Sequence, residues 1–173
     1  MYQHRVRLSQ SKILNLSFYQ ALIMRNFLIM LILLLTAVNS HAAQNFVLRD
    51  TVGKQHQLAD YRGKWVIVNY WATWCPPCLE EIPDLVNLYD QRKDKDLMVI
   101  GVAFEYKSAK EVAAFVDDML MSYPIVLGDS KVVAQIGPAT TLPTTYIYDP
   151  QGKLFRIRHG LITKAYIEGL LSH

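Results

Sequence analysis

The chain has 173 residues, 51% hydrophobic and 11% aromatic, with two cysteines, a length and composition that hold one ordinary domain and exclude a low-complexity or disordered chain. Its formal charge of +3 misleads as a guide to partners: Arg5, Arg7, Lys12 and Arg25 lie in residues 1–42, which carry no acid, leaving 14 bases against 15 acids in residues 43–173. A near-neutral body argues against nucleic-acid binding, which needs a clustered basic face.

Residues 1–42 read as a leader. Met24-Arg25-Asn26 is a short basic start, Phe27 to Val38 a 12-residue uncharged run, and Asn39 to Ala43 a small-residue exit. This is the layout of a secretory signal peptide, with Ser40 and Ala42 at the small positions before a cut after Ala42 and Met24 as the expected true start. The apolar run is short against the roughly 20 residues that span hydrocarbon. Ala21-Leu22-Ile23 extends it upstream and keeps an uncleaved membrane anchor open. An organelle transit peptide is a further alternative, because residues 1–23 are basic and free of acids. The expectation is export to the periplasm or another extracytoplasmic, oxidising space, with one domain over residues 43–173.

Within that domain, Phe46 to Leu48 and Gln55 to Leu58 suggest a hairpin around Val52-Gly53. Trp65 to Trp71 is β-branched and aromatic, the signature of a buried strand. After it come both cysteines, in Cys75-Pro76-Pro77-Cys78. Such a small ring is a weak structural staple, because closing so few residues removes little entropy from the unfolded chain. Two thiolates are half a tetrahedral metal shell, and no second Cys-x-x-Cys or His-x-x-x-His completes it, so no metal is expected. Redox work remains.

The residues after Cys75 turn helical, with Cys78, Ile82, Leu85 and Tyr89 on one apolar face and Pro76 and Pro77 in a first turn that tolerates a missing N–H. Cys75 is therefore expected at the helix N-terminus, its sulfur over unsatisfied amides and the positive end of the dipole, where the nucleophilic thiolate is favoured. Cys78, one turn in, is the shielded partner that would resolve a mixed disulfide, and Pro83 should kink the helix.

Further along, Leu97 to Phe104 is a second buried strand. Ser108-Ala109-Lys110-Glu111 is a capping box opening a helix with Val112, Phe115, Val116 and Met119 inside. Pro124 to Leu127 is a short strand, and a brief helix through Val132, Val133 and Ile136 closes at Gly137. Thr144 to Tyr148 is a strand, Asp149 to Gly152 a tight turn, and Lys153 to Arg158 an antiparallel return. Thr163 caps a last helix. The fold class is α/β, with a mixed central sheet flanked by helices.

Val68-Asn69-Tyr70-Trp71-Ala72-Thr73-Trp74-Cys75-Pro76-Pro77-Cys78, followed by Glu81-Ile82-Pro83, resembles the TlpA/ResA-like thiol-disulfide oxidoreductases of the thioredoxin superfamily. Thr141-Leu142-Pro143-Thr144-Thr145-Tyr146 matches the family's cis-proline segment, and Gly101 to Lys131 is similar to its central helical insertion; together they cover about residues 44–173. The resemblance implies a thioredoxin fold, reversible disulfide exchange without a cofactor, and a groove around Cys75 and Pro143 for a disulfide-containing client. In it, Trp74 lines the rim, with core packing as its alternative, and Leu142 offers its backbone to an extended segment. The resemblance also implies a membrane thiol-electron donor of the DsbD/CcdA type; a monomer is expected.

Departures qualify the match. Thioredoxins carry a buried Asp six residues before the first cysteine, where this chain has Asn69. Asn cannot take the Cys78 proton, so the acid–base role passes elsewhere or to water, with Glu105 the candidate residue and a solvated loop glutamate its alternative. Cytochrome c maturation members show Gly-Val-Pro-Glu at the cis-proline; Thr141 to Thr144 do not, which counts against that narrow role in cytochrome c biogenesis. Cys-Pro-Pro-Cys is also not the usual peroxidatic motif. His159 invites comparison with copper-delivery proteins, but their cysteines lie further apart, and it reads as a loop residue after the last strand. Trp65 and Trp71 are expected in the core, and Arg156 and Arg158 in solvent. A copper-handling or non-catalytic binding module is the alternative function.

Overall fold

The computed structural model describes residues 23–28, 30 and 45–172. The chain divides into two units, Met1–Ala42 and Ala43–His173. In the first, residues 23–28 and 30 are helical and exposed; most of the expected signal peptide, including Ser40 and Ala42, lies outside the described residues. Among the described residues no helix is long and apolar enough to cross a membrane.

The second unit opens with an antiparallel hairpin, β1 (Val47–Arg49) and β2 (Gln55–Gln57), and a 3-10 turn over Leu58–Tyr61. Then follow β3 (Trp65–Trp71), α1 (Pro76–Arg92), β4 (Leu97–Ala103), α2 (Ala109–Asp118), β5 (Ile125–Leu127), α3 (Ser130–Ile136), β6 (Thr144–Tyr148), β7 (Leu154–His159) and α4 (Lys164–Leu171). The five-stranded sheet runs β5-β4-β3-β6-β7, with β3, β4 and β5 parallel and β6 and β7 each antiparallel to its neighbour. This is the mixed sheet with flanking helices, helical insertion and N-terminal hairpin that the sequence predicts.

Burial on both faces explains why β3 and β4 read as unbroken apolar runs rather than alternating ones. One face carries Ile67, Trp71, Val99 and Ala103 against Ile82, Leu85 and Leu88 of α1, Val112 of α2 and Ile167 of α4. The other carries Val66, Val68, Tyr70 and Ile100 against Phe46 and Leu48 from the hairpin and Val132 and Ile136 of α3. Each fully buried aliphatic side chain of this kind contributes roughly 1.5–3 kcal/mol. A buried polar knot holds the hairpin end: Asp50 Oδ2 lies 2.9 Å from His56 Nε2, and Tyr61 Oη 2.5 Å from His56 Nδ1. Burial pushes the Asp50 carboxyl up, but His56 and the backbone amides of Lys54 and Val52 outweigh it and leave its pKa lowered.

Two expectations change. Trp65 is half-buried rather than core; it opens β3 and meets Phe155 of the edge strand β7 edge-on at 5.1 Å between ring centroids, and Phe155 is itself exposed. His159 is the last residue of β7 rather than a loop residue, because pairing with β6 continues to Thr144. Pro83 lies inside α1, as expected. Arg156 and Arg158 are exposed as expected, lying over the rings of Phe155 and Tyr166.

Gly101 sits mid-strand in β4 because nothing larger fits. A Cβ there would lie 2.9 Å from both Ile125 Cδ1 and Tyr123 Cε2 and 3.0 Å from Trp71 Nε1. Gly101→Ala is expected to cost about 1–3 kcal/mol of stability, as overpacked cores do, read as a lower midpoint in urea unfolding.

Candidate active site

β3 delivers the redox motif to the end of the sheet. Its last residue, Trp71, is fully buried, the chain turns through Ala72 to Trp74, and Cys75 caps α1 with extended backbone, φ −93° and ψ 104°. Cys75 and Cys78 form a disulfide with Cα atoms 5.3 Å apart. Cys78 is 0% exposed and Cys75 only 3%. Strand order sets what flanks the pair. β6 lies on one side of β3, and its first residue Thr144 directly follows the cis Leu142-Pro143 bond; β4 lies on the other side and leads into the segment before α2. Pro143 is buried and Leu142 half-buried.

One expectation about the thiolate needs correction. Free amides do not cluster under Cys75: Pro76 and Pro77 have no N–H, and the amides of Cys78 and Leu79 both donate to the Cys75 carbonyl at 3.0 and 3.2 Å. The two prolines that suit a first turn also delete the donors that would have faced the sulfur. The helix dipole remains as the local field favouring thiolate.

α1 also carries an acid whose role the sequence reading missed, Glu81, three residues after Cys78. Glu81 is 1% exposed. Its Oε1 accepts from Asn69 Nδ2 at 2.7 Å and its Oε2 from the Ile162 amide at 2.9 Å. Burial raises its pKa to about 7, against the pull of the Ile162 and Asn69 N–H groups toward the ionised form. Asn69 thus occupies the place of the missing acid and holds a carboxylate that reaches it from α1; its Nδ2 also donates to Thr145 Oγ1 at 3.0 Å, while Oδ1 is buried without a hydrogen-bond partner among the described residues. The signal was readable: Glu81 stands three residues after Cys78 and four before Leu85, on the stripe that faces the core.

Glu105, the acid expected from the family, is exposed, with φ 52°. Its carbonyl accepts from Trp74 Nε1 at 3.3 Å, and Trp74 is 58% exposed, at the surface rather than in the core. Pro76 is exposed and Pro77 half-buried. His159 Nδ1 lies 3.1 Å from Thr144 Oγ1, whose proton goes to the Thr141 carbonyl at 2.6 Å, so the imidazole donates there.

Because the folded protein binds the Glu81 proton more tightly than the unfolded chain, whose glutamate titrates near 4.5, stability is greatest below that pH and declines as pH rises from about 4.5 through about 7. Chemical denaturation of the oxidised protein across that range is expected to show this loss, on the order of a few kcal/mol, and Glu81→Gln is expected to flatten it.

Residues 40–157 match the model of the AhpC/TSA family. The chain is 34% identical over 130 residues to the thiol-disulfide oxidoreductase ResA of Bacillus subtilis, covering 75% of this chain and 72% of that one. It is 38% identical over 132 residues to the thioredoxin-like protein YneN of the same organism, covering 75% and 76%. Among solved structures, a thioredoxin-family thiol:disulfide interchange protein from Chlorobium tepidum TLS superposes with a TM-score of 0.68 at 26% identity, over 74% of this chain and 91% of that one. The fold, the paired cysteines at the start of α1 and these likenesses agree: the chain belongs to the AhpC/TSA family, among its ResA-like thiol-disulfide oxidoreductases of the thioredoxin superfamily.

Proposed function

We propose that this protein is exported to the periplasm or another extracytoplasmic space and there reduces disulfides of envelope proteins through Cys75 and Cys78. The observation that carries the reading is the pair itself: a disulfide at the mouth of α1, its second sulfur fully buried and one helical turn before the buried Glu81. In the reduced protein, Cys75 thiolate attacks one sulfur of a client disulfide, forming a mixed disulfide and expelling the other client sulfur as thiolate. Cys78 then loses its proton and attacks the Cys75 sulfur. The second client sulfur leaves, both client sulfurs end as thiols, and the two electrons they gained come from the Cys75–Cys78 dithiol.

Glu81 is the proton acceptor in this scheme. A carboxylate titrating near neutrality, one helical turn from Cys78, suits general-base work because its pKa lies close to the working pH. Pro143 and the Leu142 backbone form one side of the client groove, with Trp74 at the rim. Resetting the oxidised pair calls for a thiol donor; the family resemblance favours a membrane thiol transporter of the DsbD/CcdA type, with this protein acting as a monomer. The leader, residues 1–42, would be cut after Ala42 to leave a domain of residues 43–173, and N-terminal sequencing of the exported protein should begin at Ala43.

Turnover tests the chemistry. The wild type is expected to accelerate insulin reduction by dithiothreitol, Cys75→Ser to abolish the acceleration, and Cys78→Ser to accumulate clients linked covalently to Cys75. Glu81→Gln is expected to slow resolution of the mixed disulfide about 100-fold near neutral pH, the lower end of general-base effects. Clients trapped on Cys78 in Cys75→Ser, or an unslowed Glu81→Gln, would reverse these assignments.

A further inference from the structure

The Ser108–Glu111 capping box has an unexpected outcome. Ser108 Oγ accepts from the Glu111 amide at 3.1 Å, as a cap should, but the Glu111 carboxylate does not simply close back on the cap residue. Its Oε2 accepts from the Lys107 amide at 3.0 Å, and its Oε1 accepts from Thr73 Oγ1 at 3.0 Å. Thr73 is two residues before Cys75. One carboxylate therefore joins the start of the inserted helix to the redox motif across 38 positions of sequence. These same two donors, the Lys107 amide first and then the Thr73 hydroxyl, hold its pKa below the ordinary value.

A second link runs parallel to the first. At Glu105 the backbone turns left-handed, φ 52°, and its carbonyl receives the indole N–H of Trp74. A non-glycine residue in this region is uncommon and persists where neighbouring structure enforces it. The segment between β4 and α2 is thus fastened to Thr73 and Trp74 at two points. Sheet order puts it on the side of β3 opposite the cis-proline segment, so the cysteine pair lies between two supports.

We infer that Glu111 is a positioning residue for protein clients: by holding Thr73 and the Glu105–Ser108 loop together, it fixes Trp74 as a rigid wall facing the Pro143 side of the groove, so that an extended polypeptide meets a preformed slot. Rigid placement of an aromatic contact reduces what binding must spend on ordering it. The inference rests on the disulfide-exchange reading for its client, but its geometry can be tested apart from turnover.

Glu111→Ala is expected to raise KM for insulin about tenfold, as loss of one charge-assisted hydrogen bond would, with kcat within about twofold of wild type. Glu111→Gln keeps an oxygen for Thr73 but cannot also accept from the Lys107 amide, and should fall between the two. Thr73→Val should act in the same direction and add little to Glu111→Ala, because both break one link. Independently, the Trp74 indole N–H, assigned in NMR spectra by its loss in Trp74→Phe, should exchange with water faster in Glu111→Ala. Unchanged indole exchange, additive effects in the double variant, or a loss confined to kcat would each overturn the inference. An inactive wild type would overturn the exchange reading instead, while the indole measurement would still decide the geometry.

Discussion

A helix must begin somewhere, and here it begins on a cysteine. β3 is buried along nearly its whole length, so its direction is fixed by packing on both faces, and α1 lays Cys78, Ile82, Leu85 and Leu88 against one of them. Those two constraints leave the four residues between Trp71 and α1 little freedom. They put one sulfur at the end of the helix and the other a turn inside, and the chemistry proposed here depends on that difference in position. Everything around the pair is support: the cis-proline segment from β6, the inserted segment after β4, and the acid beneath.

The role proposed for that acid puts on the helix a group that thioredoxins carry on the central strand. A buried carboxylate on a central strand and one on the adjoining helix can serve the same cavity if a polar neighbour receives the one that moved. Asn69 is such a neighbour. Its Nδ2 offsets part of the cost of burial through hydrogen bonds to Glu81 and Thr145 inside the core, while Oδ1 has no partner among the described residues. Desolvation then keeps the carboxyl near its titration point, where a fully solvated glutamate would be permanently ionised at neutral pH.

Much of this was legible in the chain. β-branched runs marked β3 and β4, the 4-3-4 spacing marked α1, and Ser108, Asp129 and Thr163 cap their helices, Ser108 and Thr163 as expected from the sequence. Local rules worked where the cause is local. They failed where it is not. Glu81 was passed over because a glutamate in a helix is ordinarily solvated, and only the burial of its particular face makes it unusual. Glu105 was favoured by position in the family, yet its orientation depends on a left-handed backbone that no short-range pattern announces. Glu111 was read as half of a cap because its second partner, Thr73, is far away in sequence. Trp65 was placed inside by its residue type alone, while its exposure follows from the end of the sheet on which it sits.

The two borders of the sheet are finished differently. β5 is overlapped by the hairpin end, where Thr51 donates to the Ile125 carbonyl and Asp50 bridges Val126. Among the described residues no strand lies beyond β7, and five of its six residues are exposed. An open border invites accretion of further strands, and long cationic side chains are one way proteins discourage it. If two copies of this molecule met border to border, Arg156 and Arg158 of each would crowd against the same charges on the other, so the sheet carries at its rim a deterrent against growing into a ribbon.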